Sequence, residues 1–339
     1  MCCLSFFSCA TPSKKYSNYT FDYFDTVTSV TGYAQSQEEF DRIFDETIAL
    51  LKEYHQLFTI YDKYDGINNL KTVNELSGGV HKPINVDQKI IDMLLFSKDM
   101  YARTKGKVNI AMGSVLSIWH EYRQDGLNDP SIAKLPPMDK LTEAAKHTDI
   151  EKLIIDEKSR TVFLSDPEML LDVGAIAKGY AVEMVARSLI EKGVTGYVLN
   201  VGGNVRAIGL RGGNTPWIAG IDNPNGTEDA PYYATVGLES RSLVTSGSYQ
   251  RYYTVEGKDY NHIIDPQTLM PSERYISVSI LCESSAIADA LSTALFCMSV
   301  EDGKRILSQF DDTEAMWVSA DGDIEYSDGF KKHIQGDKK

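Results

Sequence analysis

Apolar positions along the chain alternate between two spacings. From Gln37 to Phe58, the residues Phe40, Ile43, Phe44, Ile48, Leu51 and Tyr54 recur every three or four positions, as on one buried helix face. Val86–Thr104 repeats that pattern, with Ile90, Ile91, Met93, Leu94 and Leu95 turned inward. Gly174–Lys192 reads as a helix stopped by Gly193, and Ala286–Met298 and Glu301–Phe310 read as two more. Elsewhere the spacing falls to two. Thr20–Tyr33 reads as strand and turn, Leu153–Leu164 as a hairpin turning at Asp156–Arg160, and Leu170–Asp172 as a strand end.

Beyond Tyr197 strands dominate: Tyr197–Val201, Val205–Leu210, Trp217–Ile221, Tyr232–Leu238, Ser242–Thr245, Tyr252–Val255, Tyr275–Cys282 and two short closing strands. Tyr61–Gly79 reads as a loop with a short helix and Asp125–Asp139 as a loop, while Val108–Trp119 starts extended, turns at Gly113 and becomes helical. Long helices beside strands that do not strictly alternate with them predict an α+β fold of mixed, mostly antiparallel sheets with packed helices.

The 339 residues are 42% hydrophobic and 24% charged, enough for a sizeable core. Residues 20–330 are expected to form the working domain, after a leader and polar linker at 1–19 and before a polar tail at 331–339. The net charge of −14 disfavours nucleic acid as a partner. A phosphate ligand would need local positive potential from a metal ion, a helix N-terminus or a few lysines.

Cys2, Cys3 and Cys9 crowd the start, and only Cys282 and Cys297 follow, in apolar surroundings. That distribution does not make a disulfide framework, and the last two are expected to be simply buried. Phe6-Phe7-Ser8-Cys9 resembles a bacterial lipoprotein cleavage box, although no basic stretch precedes it. The expectation is a lipid anchor at Cys9 and a location outside the cytoplasmic membrane, attached to it as a lipoprotein; an uninformative leader is the alternative. No later run is apolar enough to span a bilayer.

Four segments could carry chemistry. In Leu171-Asp172-Val173-Gly174-Ala175-Ile176-Ala177-Lys178-Gly179-Tyr180 a carboxylate is delivered to a helix start, where free N–H groups, the helix dipole and Lys178 favour an anion. Asp172 could equally be a plain helix cap. In Ile287-Ala288-Asp289-Ala290-Leu291-Ser292-Thr293, Asp289 and Thr293 share one face of an otherwise small and apolar helix. A hard cation would explain that pairing, and so would a water-facing carboxylate with a hydroxyl bonded one turn back.

His262, in Tyr260-Asn261-His262-Ile263-Ile264-Asp265-Pro266 after Ser246-Gly247-Ser248-Tyr249, is either a general base or a hydrogen-bonded structural residue. Ala111-Met112-Gly113-Ser114 is a turn whose backbone could cradle a ligand. Asn200-Val201-Gly202-Gly203-Asn204 lacks the glycine spacing of a dinucleotide fold and is followed by strand.

In this order the segments resemble the FAD:protein FMN transferase (ApbE-like) family, over about Phe21 to Ser327. The resemblance implies that Asp289 and Thr293 hold Mg2+ through side chains and Ala175 through its carbonyl. It implies FAD as substrate, contacted by Asp172 and Lys178, with Ala111, Met112, Gly113, Ile264 and Tyr61 lining the flavin nucleotide site. Phe24 stands where many members carry methionine, and Gln267-Thr268-Leu269-Met270-Pro271 lacks the usual glycine before the proline. The implied activity is Mg2+-dependent cleavage of FAD, attachment of FMN through a phosphoester to a Thr or Ser of a target flavoprotein, and release of AMP. His262 or Asp172 would take the proton. Acceptors would be flavoproteins of membrane redox complexes. An FAD pyrophosphatase, a non-catalytic FAD-binding protein and a flavin-using redox enzyme are the alternative readings.

Overall fold

A computed structural model describes residues 13–80 and 82–336. Along the chain come β1 (Lys14–Thr20), β2 (Thr28–Ala34), α1 (Gln37–Phe58), α2 (Leu70–Val80), β3 (Ile84–Asn85), α3 (Gln88–Arg103), α4 (Gly113–Asn128) and α5 (Met138–Ala144). There follow β4 (Leu153–Asp156), β5 (Thr161–Leu164), α6 (Ala177–Glu191), β6 (Tyr197–Val201), β7 (Asn204–Ile208), β8 (Trp217–Thr227), β9 (Ala230–Leu238) and β10 (Ser242–Gly247). The chain ends through β11 (Tyr252–Val255), β12 (Lys258–Asn261), β13 (Tyr275–Cys282), α7 (Ser285–Phe296), α8 (Val300–Leu307), β14 (Glu314–Ser319) and β15 (Ile324–Tyr326).

Eight strands form one sheet in the order β1-β2-β6-β7-β10-β13-β14-β15, each pair antiparallel. Alternation in β13 explains how the sheet is covered on both faces. Val278, Ile280 and Cys282 join the main core under α1, α3, α6 and α7, while Leu281 joins a second core with Trp217, Ile221, Val236 and Leu238 of the β8–β9 hairpin. A third apolar cluster joins Met112, Val115 and Trp119 to Tyr253, Val255 and Ile264. It seats α4 against the β11–β12 hairpin.

The α+β expectation holds, with local differences. Lys14–Thr20, read as linker, is an edge strand paired with β2 from Lys14↔Ala34 to Thr20↔Thr28. Its side chains are mostly exposed, so burial leaves no alternation to read. α2 is a full eleven-residue helix despite its Ser-Gly-Gly end, and α4 runs on to Asn128 through a segment read as loop. Leu170–Asp172 is extended but belongs to no sheet. The Asn74 side-chain amide replaces a neighbouring strand there, accepting from Leu171 N at 2.8 Å and donating to Leu171 O at 2.9 Å. At the other end, Gln335 N donates to Thr235 O at 2.7 Å, so part of the expected tail lies along β9. Cys282 and Cys297 are buried free thiols, each with a pKa pushed up to about 12 by that burial. Cys2, Cys3 and Cys9, with the leader reading, lie outside the described residues. No helix among those described is long and apolar enough to cross a membrane.

Candidate active site at the crossing of two helix N-termini

α6 begins without a cap of its own. Its N-cap residue, Ile176, has no side chain able to accept a hydrogen bond; Ala177 N donates to Val173 O at 2.8 Å, and Gly179 N needs an acceptor from elsewhere. Asp289, from α7, supplies the acceptor: Gly179 N donates to its Oδ2 at 2.7 Å. The approach requires a glycine, because a Cβ at Gly179 would sit 2.5 Å from Ser285 O and closer still to Asp289 Cβ. Lys178 Nζ lies 3.9 Å from Asp289 Oδ1 and hydrogen-bonds Asn204 Oδ1. Burial pulls the Lys178 ammonium down, Asp289 opposes that, and Arg251 adds to it.

This arrangement leaves three oxygens weakly used. Asp289 is 6% exposed, and its Oδ1 has only the distant lysine. Thr293, one turn further along α7, is half-buried, and no hydrogen bond reaches its hydroxyl among the described residues. The Ala175 carbonyl accepts from no backbone N–H among them, since Gly179 N is committed to Asp289. A carboxylate, a hydroxyl and a carbonyl are hard oxygen donors, the set magnesium takes while keeping waters and phosphate oxygens in its shell. Among the described residues no cluster of three or more His, Cys, Asp or Glu is placed to hold a metal.

A second wall comes from the Ile110–Met112 turn. Asn109 Oδ1 caps it by accepting from Ala111 N at 2.9 Å. Asp172 N donates to Ile110 O at 2.8 Å, and Gly113 N donates to Leu170 O at 3.0 Å, so the turn is laced to the strand-like approach of α6. Ala111 and Met112 are buried. Ile264 packs with Met112 in one apolar cluster. Asp172 accepts from Gly174 N at 2.9 Å. Burial pushes its carboxyl up, and Gly174 N–H, His120 and Arg123 pull the other way.

His262 stands on the loop after β12. Its Nδ1 lies 3.1 Å from Arg251 O. A carbonyl only accepts, so Nδ1 carries the proton and Nε2 keeps a lone pair. Burial is the main cause that takes the imidazole pKa down to about 4, with the charges of Arg251, Arg123 and Lys178 in the same direction. Asp265 fixes this loop through a buried ion pair with Lys107 at 2.8 Å, just before the Ile110–Met112 turn. The departure at Gln267–Pro271 is accommodated by Leu269 at φ 61°, whose carbonyl accepts from Trp119 Nε1 at 2.9 Å.

The structure thus brings together Asp289, Lys178 and Gly179, and it gathers Met112 with Ile264. Tyr61 is an exposed aromatic whose ring centroid lies 5.7 Å from that of His120. Phe24 sits in a left-handed turn with Asp25, and its N–H donates to His55 Nδ1 at 3.3 Å. Three groups escaped the sequence reading: Asn204, His120 with Arg123, and Arg251. Arg123 and His120 touch at 3.2 Å on α4, and neither Arg123 nor Arg251 has a carboxylate partner among the described residues. Arg123, Arg251 and Lys178 all lie near enough to His262 to lower its pKa, and that gathering of positive charge in a chain of net charge −14 suits an anion. His120 and Arg123, three positions apart on one helix face, were the available signal.

The ApbE family model matches residues 24–317. The chain belongs to the ApbE family. Among ApbE relatives, the FAD:protein FMN transferase of Klebsiella pneumoniae is 29% identical over 293 residues, 86% of this chain and 85% of that one. That of Treponema pallidum is 30% identical over 280 residues, 78% of this chain and 75% of that one. The ApbE protein of Thermotoga maritima has a solved structure that superposes with a TM-score of 0.82 at 26% identity, covering 95% of this chain and 100% of its own. The ApbE flavin transferase of Vibrio cholerae shares the fold at a TM-score of 0.76 and 23% identity, covering 95% of this chain and 100% of its own.

Proposed function

We propose that the chain is an FAD:protein FMN transferase that depends on Mg2+. The observation that carries the reading is the meeting of Asp289, Lys178 and the first turn of α6 in one place, within a chain of this family. Asp289, Thr293 and the Ala175 carbonyl would hold the metal. Bound there, Mg2+ would offset the charge that builds on the phosphate oxygens as the diphosphate of FAD is split.

The chain's own residues divide the remaining work. Lys178 and the unpaired Arg123 and Arg251 hold the diphosphate in an otherwise acidic protein. The backbone of Ala111, Met112 and Gly113, with Tyr61, Phe24 and Ile264, faces the flavin nucleotide, and Asp172 orients it. The hydroxyl of an acceptor Thr or Ser attacks the FMN-side phosphorus, its proton passes to Nε2 of His262, and the bond to the AMP phosphate breaks. AMP and a phosphoester-linked flavoprotein leave. Asp172 is the second candidate for the proton. Flavoproteins of membrane redox complexes are the acceptors in this proposal, with the enzyme held outside the cytoplasmic membrane through Cys9.

Release of AMP from FAD tests the reading. It should require Mg2+, stop on chelation, and rise with the concentration of a threonine-bearing acceptor domain. AMP release at one rate with or without acceptor would instead favour an FAD pyrophosphatase.

A further inference from the structure

α6 and α7 cap one another. Asp289 of α7 takes the Gly179 N–H in the first turn of α6 at 2.7 Å, and Glu183 of α6 takes the Ser285 N–H in the first turn of α7 at 2.9 Å. One turn forward on α6, from Gly179 to Glu183, corresponds to one turn back on α7, from Asp289 to Ser285. The helices therefore run antiparallel, with their N-terminal turns clasped. Glu183 and Arg206 are each 2% exposed. Arg206, on β7, donates through Nε to the same Glu183 oxygen at 3.0 Å, and Arg187 Nε meets the other oxygen at 2.9 Å. Glu183 thus ties three elements together: its own helix, the start of α7 and the central sheet.

We propose that Glu183 is a positioning residue for the metal site: it fixes the start of α7 so that Asp289 and Thr293 face the Ala175 carbonyl. This rests on the metal reading given above. Two ligands on α7 and one just ahead of α6 can close on one cation only if the helices keep their spacing, and Asp289 is itself held by the crossing it ligates from. Glu183→Gln removes the charge and leaves one acceptor oxygen for three donors, Ser285 N, Arg206 Nε and Arg187 Nε, because the second polar atom of an amide side chain is itself a donor. Groups that orient ligands in this way typically alter metal affinity by about 10–100-fold when replaced.

The test is titration of Mg2+ alone into the metal-free chain by calorimetry, for wild type, Glu183→Gln, Ser285→Pro and Asp289→Asn. Ser285 is the first residue of α7, where proline fits a helix, so Ser285→Pro deletes the N–H that Glu183 accepts while leaving the Glu183–Arg206 pair in place. If Glu183→Gln fails to fold, Ser285→Pro decides alone. The proposal expects Mg2+ affinity to weaken about tenfold or more in both clasp variants, with FAD affinity measured without metal staying close to that of wild type. Wild-type Mg2+ affinity in the clasp variants, with affinity lost in Asp289→Asn, would overturn the role of Glu183 and leave the metal site standing. Binding unaffected by Asp289→Asn would overturn both.

Discussion

Replacing Gly179 with alanine separates helix propensity from helix packing. In an open helix the change would stabilise the protein by about 1 kcal/mol. Here the new methyl would lie 2.5 Å from Ser285 O and 3.0 Å from Asn204 Nδ2, with Asp289 Cβ nearer still. Two of these neighbours are a helix carbonyl and a Cβ, which move only if α7 moves. Overpacking of this kind costs about 1–3 kcal/mol. The shift also breaks the bond from Gly179 N to the Asp289 carboxylate, a charged hydrogen bond of the class worth about 1.5–3 kcal/mol. Against the gain in propensity, the net loss is about 1.5–5 kcal/mol. Thermal unfolding followed by circular dichroism would read this as a clear drop in Tm, and Mg2+ affinity should fall in parallel. A Gly179→Ala variant as stable as wild type, with undiminished Mg2+ binding, would refute the tight crossing and the role of Asp289 with it.

Other outcomes follow from the same geometry. Asp289→Asn keeps an acceptor for Gly179 N but removes the charge, so folding should be nearly unchanged while Mg2+ no longer stimulates AMP release; a normal Mg2+ response would sink the ligand assignment. His262→Ala should lower kcat by about a hundredfold or more, with KM for FAD little changed, as expected for loss of a general base. Because its imidazole is held down to about 4, wild-type activity should persist from neutral pH downward and fall off as pH passes about 4, where Nε2 takes up a proton. A half-maximal point near the ordinary histidine value of about 6.5 would show that burial does not hold this imidazole down. Lys107→Met strands the Asp265 carboxylate and should cost about 3–5 kcal/mol, read in denaturant unfolding; a smaller change would mean the pair is solvated.

Much of the candidate site could be proposed from sequence because its residues lie in short runs. Asp172 to Gly179 and Asp289 to Thr293 each occupy one stretch of chain, and their spacing places them at a helix start and along one helix face. What could not be read depends on contacts distant in sequence. The capping of Gly179 by Asp289 spans 110 residues, and the Asn74 amide that substitutes for a strand partner of Leu171 spans 97. Glu183 looked like an ordinary helix charge until β7 brought Arg206 to it. β1 was missed for a different reason. An edge strand pairs through its backbone, and with few buried side chains it shows no alternation. Arg123 and Arg251 escaped because isolated arginines are normally solvated; what distinguishes these two is that both lie close enough to His262 for their charges to lower its pKa, a grouping only the fold creates.

Transfer of FMN from FAD to a protein hydroxyl is read most directly from the intact mass of a threonine-bearing acceptor domain, after incubation with the chain, FAD and Mg2+. The acceptor should become heavier by one FMN, and the gain should vanish on chelation and when the threonine is replaced by alanine. An acceptor of unchanged mass while FAD is converted to free FMN and AMP would contradict the transferase.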